Sequence, residues 1–153
     1  FPTRRSSDLG DKCAVATHNG LANVSSIFKG PDGKIRLKNE ITVRGHQTYK
    51  DKMRDGLYPV HSIGFHPAST HFLYTVGGDG RIKFWDLNVK KLIVAFTFNN
   101  THVTQGKMSP DGRFLAYALG YDWSMGIDGF LSKPTNLLVH PITINELACN
   151  NAK

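Results

Sequence analysis

An all-β chain of short antiparallel strands is predicted by three observations. Short apolar-polar runs recur from residue 10 onward, turn residues punctuate them, and no stretch of ten residues or more holds a helical period. Lys12–Thr17 and Leu21–Ile27 flank His18-Asn19-Gly20, and Asn-Gly between such runs is a strong hairpin signal. The turn Gly30-Pro31-Asp32-Gly33 follows, and then a short strand over Glu40–Arg44. Val60–Phe65, Phe72–Val76, Arg81–Asp86 and Leu92–Thr97 come next. They are separated by His66-Pro67-Ala68-Ser69, Gly77-Gly78-Asp79-Gly80 and Leu87-Asn88-Val89. Val103–Met108, Phe114–Leu119 and Asn136–His140 complete the series, with Ser109-Pro110-Asp111-Gly112 turning between the first two. Ile144–Asn150 reads as a short terminal turn of helix.

Composition bounds the rest. The 153 residues are 40% apolar and 20% charged, which fits a globular chain and excludes a disordered or coiled-coil one. The apolar run Leu92–Phe96 is far too short to span a bilayer, so no membrane partner is expected. Cys13 and Cys149 lie at opposite ends and supply no disulfide framework, which points to a reducing compartment. Nineteen Lys+Arg against 12 Asp+Glu give a net charge of +7, favouring an acidic partner such as RNA or an acidic peptide. Residues 1–9, Phe-Pro-Thr-Arg-Arg-Ser-Ser-Asp-Leu, lack periodicity and resemble a translated sequencing adapter. They are set apart as a leader from a domain over 10–153. Without Arg4, Arg5 and Asp8 the counts become 17 and 11, and the balance is still +6.

Gly45-His46 and Trp85-Asp86 bracket three strands, the last two joined by Gly77-Gly78-Asp79-Gly80. That is the signature of a WD repeat, one four-stranded blade of a β-propeller. His46 can donate to Asp79 in the tight turn. Its other nitrogen can reach Thr75, whose hydroxyl can meet the indole N–H of Trp85, so that each buried donor has a partner. The tetrad is read as structural, not as a hydrolase triad. Lys12–Ile27 supplies two strands of a preceding blade and Val103–His140 three of a following one. At about 40–45 residues per blade, residues 10–153 hold roughly three blades, and closure needs at least four. A partial propeller is therefore expected.

The stretch Leu57-Tyr58-Pro59-Val60-His61-Ser62-Ile63-Gly64-Phe65-His66-Pro67, together with Gly77–Asp86, resembles the nuclear-pore mRNA export factors and their relatives, the mitotic checkpoint WD-repeat proteins. Ala118-Leu119-Gly120-Tyr121-Asp122-Trp123-Ser124-Met125-Gly126 looks like the export branch, whereas a spindle-checkpoint scaffold at kinetochores is the alternative. The resemblance implies the last two and a half blades of a seven-bladed propeller. It implies a scaffold in the nucleus, at the nuclear envelope and pore, and in the cytoplasm, one that binds a nucleoporin peptide and contributes to RNA binding without catalysis. Where the family has Glu-Gly-Arg, this chain has Asn19-Gly20-Leu21, so Leu21 alters a partner-binding position that the family fills with arginine.

Because strands alternate in direction, connections between second and third strands emerge on the same face as those leading into the next blade. Two such connections are long, His46–Leu57 and Gly120–Thr135. They carry Lys50, Lys52 and Arg54, with Tyr58, Tyr121 and Trp123. Cations suit phosphate or carboxylate, and aromatics offer stacking surfaces to single-stranded RNA. Two readings stand: a binding face, or a solvated basic loop with Trp123 filling a local pocket. His61, His66 and His71 recur every five residues, a spacing that fits no known metal site, so neither metal nor cofactor is expected. Lys83, between Ile82 and Phe84, is expected to be an exposed strand residue. Ser124 and Cys13 lack the setting of a nucleophile.

Overall fold

The computed structural model describes residues 5–9, 11–48, 56–99, 101–124, 126–130 and 135–147. Its middle sheet explains the rest. Strands β7 (Val60–His66), β8 (Ser69–Gly77), β9 (Arg81–Asp86) and β10 (Lys91–Thr97) pair antiparallel in that order. Before it lie β1 (Arg5–Leu9), β2 (Lys12–Ala16), β3 (Leu21–Lys29) and β4 (Ile35–Arg44), a second four-stranded sheet. After it come β11 (His102–Met108), β12 (Phe114–Gly120) and β13 (Asn136–Pro141), followed by the short helix α1 (Ile144–Leu147). A two-stranded ribbon, β5 (Gln47–Thr48) with β6 (Gly56–Leu57), stands in the connection between the first two sheets.

The sheets stack as blades. Strand β7 lies against β1 on one side and β11 on the other, so each sheet's first strand lines a common inner edge. One core fills the space between the first two sheets, from Ala14, Ala16, Ala22, Val24 and Val43 to Ile63, Phe65 and Leu73. The other lies between the second and third, around Phe72, Tyr74, Val76, Ile82, Phe84, Val103 and Leu115. Along β8 the period of two sends Leu73 to one core and Phe72, Tyr74 and Val76 to the other. A strand sandwiched on both faces is apolar almost throughout, which is why Phe72–Val76 was legible.

The structure corrects two expectations and adds a strand. Lys83 is buried, not exposed. Alternation implies an exposed face only when one side of a sheet meets water, and this sheet is covered on both. Strand β4 begins at Ile35 rather than Glu40, so Gly30–Gly33 joins β3 directly to it. Residues 35–40 are exposed, so backbone pairing extends the hairpin there with no burial pattern to announce it. Arg5–Leu9 pairs with β2 and occupies the inner-strand place of the first sheet. Main-chain pairing needs no side-chain periodicity, and absence of a pattern could not forecast it.

Candidate functional site

The blade centre is a chain of hydrogen bonds through buried groups. Trp85 Nε1 donates to Thr75 Oγ1 at 2.9 Å, Thr75 Oγ1 lies 3.0 Å from His46 Nε2, and His46 Nδ1 lies 2.6 Å from Asp79 Oδ1. Thr75 has no other proton to give, so its hydroxyl donates to Nε2. The imidazole is then neutral, with its proton on Nδ1 directed to the carboxylate. Burial pushes His46 below its ordinary value of 6.5, outweighing the opposing hydrogen bond and charge of Asp79. Burial alone would raise Asp79, but the hydrogen bond from His46, with the charges of Lys83 and Arg81, holds it below the usual carboxylate range. Lys83 stays in this interior because its ammonium donates to the Gly45 carbonyl and faces Asp79 Oδ2 at 3.7 Å. Position 77 must be glycine: a Cβ there would lie 2.2 Å from the His46 ring.

The exposed part of the site stands beside this centre. Asp122, only 3% exposed, is held on both oxygens. Its Oδ1 accepts from the Ser124 amide at 3.1 Å, and its Oδ2 lies 3.2 Å from His61 Nε2 and 3.5 Å from His102 Nδ1. Gly78 and Pro59 meet the same carboxylate: a Cβ on Gly78 would come within 3.0 Å of Oδ2 and 3.1 Å of the proline ring. Burial would raise Asp122, yet the hydrogen bonds from His61 and Ser124, with the charge of His102, keep its carboxyl well below the usual range. Around this anchor stand three rings. Trp123 stacks on Phe130 at 5.5 Å and 10°, and Tyr121 packs on Trp123 at 5.5 Å while donating to the Gly126 carbonyl at 2.8 Å. Trp123 is 58% exposed and holds φ at 60°, a left-handed conformation that costs a side-chain-bearing residue about 1–3 kcal/mol.

Of the candidate binding residues, the structure brings Tyr121 and Trp123 together. Tyr58 lies where the chain enters the middle blade, its amide donating to the His46 carbonyl at 3.0 Å, one residue before Pro59. Leu21 is half-buried at the start of β3, opposite Arg44 in register. Lys50, Lys52 and Arg54 lie outside the described residues. His61, His66 and His71 have separate surroundings: His61 turns to Asp122, His66 meets the Gly112 carbonyl and the Ala68 amide, and His71 is exposed. Sequence reasoning missed Asp122 as an anchor, together with His61, His102 and Phe130. Only the Tyr-Asp-Trp segment signalled the loop, since its partners come from two other strands.

Three antiparallel sheets stacked by their inner strands, with the His46–Thr75–Asp79–Trp85 chain at the centre of one, define a WD-repeat protein and part of a β-propeller. The curated proteins it resembles include mRNA export factors and a WD40 repeat protein. It is 30% identical to Protein Rae1 of Drosophila melanogaster, over 77% of this chain and 32% of that one. It is 34% identical to the mRNA export factor GLE2 of Chaetomium thermophilum, over 59% of this chain and 25% of that one. It is also 33% identical to the WD40 repeat protein poxJ of Penicillium oxalicum, over 60% of this chain and 26% of that one. The chain thus spans about a third or less of each of these relatives. No protein-family model matches it.

Proposed function

We propose that this chain is part of a non-catalytic scaffold in mRNA export, whose loop face holds an acidic, nucleoporin-like peptide and single-stranded RNA at the nuclear pore. One observation carries the reading. The loop after β12 displays Tyr121, Trp123 and Phe130 as an aromatic group on a buried carboxylate anchor, with Trp123 and Phe130 open to solvent. Stacked rings suit unpaired bases, and cations suit phosphate and carboxylate. The export-factor names of the relatives favour this reading over a checkpoint scaffold. The polar chain at the blade centre offers no reactive group to a substrate, because His46 and Thr75 are fully buried.

Calorimetric titration with a single-stranded oligoribonucleotide across a salt series tests the reading. RNA affinity should weaken as salt rises, with a slope of about −0.7 per phosphate contact. Replacing Lys50, Lys52 and Arg54 together by Ala should flatten that slope, whereas Trp123→Ala should weaken binding and leave the slope nearly unchanged. Leu21→Arg should strengthen binding of the acidic peptide without affecting RNA. If the triple variant binds RNA with the parent's affinity and slope, this face is not the RNA site.

A further inference from the structure

Between the blade centre and the aromatic loop stands a cluster that the proposed function does not use. His61 comes from β7, His102 from β11, and both approach Oδ2 of Asp122, which belongs to neither strand. The carboxylate is 3% exposed, while the two imidazoles are 18% and 28% exposed, so protons reach the histidines from solvent although the acceptor is sealed. His102 Nδ1 also donates to the Gly78 carbonyl, which fixes the side of that ring that carries its proton. The group therefore joins two blades and the 121–130 loop through one oxygen atom.

We propose that His61 and His102 form a protonation-dependent latch on Asp122, which sets how firmly the 121–130 loop and its aromatic platform are held. The benefit to binding rests on the reading of this face given above, whereas the latch itself does not. With both histidines neutral, the carboxylate keeps one hydrogen bond from His61 and one from Ser124, and its charge is unbalanced. With them protonated, the His61 bond becomes charge-assisted, and such bonds are shorter and stronger than neutral ones, while His102 brings an opposite charge 3.5 Å from the same oxygen. Histidine is the side chain whose charge ordinarily changes between about pH 5 and 8, so the latch tightens on mild acidification. Among the described residues, the other ionisable groups on this side are His46, Asp79, Lys83 and Arg81 of the blade centre, with the Tyr121 phenol and Asp128 in the loop and Tyr58 at the blade entry. Of these, His46 is buried neutral and Lys83 faces Asp79, and among the described residues the ion pairs drawn to Asp122 are those with His61 and His102. Lys50, Asp51, Lys52, Arg54 and Asp55 lie outside the described residues.

The Ser124 amide, which donates to Asp122, is the direct reporter. Its hydrogen-exchange protection factor in the full chain should be about tenfold greater at pH 5.5 than at pH 8, the difference expected between charged and neutral donors. Asp122→Asn should abolish that pH dependence. The double variant His61→Gln with His102→Gln should keep neutral contacts and lose the pH dependence as well. It guards against misfolding of the Asn variant, because glutamine retains a donor. Emission of Trp123, taken as the difference between the parent and Trp123→Phe, should titrate with the amide. If the double variant titrates like the parent, or the parent shows no pH dependence at Ser124, the latch is wrong. Binding of a single-stranded oligouridylate at the two pH values is measured separately. A latch that titrates while RNA fails to bind overturns the functional reading alone.

Discussion

A neutral imidazole in a sealed interior ties the stability of this chain to pH. The unfolded chain takes up a proton at position 46 near the ordinary 6.5, whereas the folded chain resists it. The unfolded state therefore binds more protons as pH falls, and stability falls with it. Asp79 acts in the same direction lower down. Its folded value is depressed, so its contribution is complete above the ordinary carboxylate value of 3.8 and is lost as pH drops through the folded one. Urea unfolding across pH should show stability declining from about pH 6.5 downward. His46→Gln should be less stable overall but shallower in slope between about pH 7 and 5. Comparing it with the parent isolates the contribution of His46. Asp79→Ala leaves the Nδ1 proton of His46 buried without an acceptor, and should cost about 1–3 kcal/mol at neutral pH. A loss of a few tenths would mean that the chain of hydrogen bonds is not stabilising.

At the scale of the element, the turn between β8 and β9 carries constraints from both sides. Gly77 gives its missing Cβ to the His46 ring, and Gly80 holds φ at 71° with the Thr101 and Phe98 carbonyls close by. Gly77→Ala should displace His46 and destabilise by about 1–3 kcal/mol, as overpacking does in a filled interior. Thermal unfolding followed by the emission of Trp85 checks it, since that indole sits at the end of the same chain. Leu73→Ala, in the core between the first two blades, should cost about 2–5 kcal/mol through a cavity. A similar loss in both variants, with lowered cooperativity in Gly77→Ala alone, would separate the polar centre from the apolar packing. The loop after β12 obeys different rules. Its position depends on one carboxylate and its partners rather than on a ladder, so substitutions there should move binding more than folding.

Across the whole molecule, the third sheet ends at β13, whose outer side has no strand beside it among the described residues. Leu137 and Val139 are 77% and 62% exposed on that strand. An open edge with exposed apolar side chains is a template for pairing with other chains. The 153-residue chain by itself should therefore self-associate, detected as a mass rising with concentration in light scattering. Leu137→Lys with Val139→Lys should reduce it, because edge lysines oppose strand addition. A monodisperse monomer at all concentrations would show that this edge is protected.

What the sequence by itself determined was everything written in local patterns. The Asn-Gly and Gly-Gly-Asp-Gly turns, the period-two runs and the Gly-His to Trp-Asp bracket place most strands and all four members of the buried chain, because a blade repeats at a set length and each turn needs a particular residue. Tertiary structure alone decided the rest. Whether Lys83 meets water depended on a second sheet covering its face. The reach of β4 back to Ile35 and the pairing of Arg5–Leu9 depended on backbone partners that leave no mark on side-chain order. The anchor at Asp122 required His61 and His102, some sixty and twenty residues away in the chain, to arrive at one oxygen from adjacent blades. Such a meeting is set by how sheets stack about their inner strands, and no spacing within one segment encodes it.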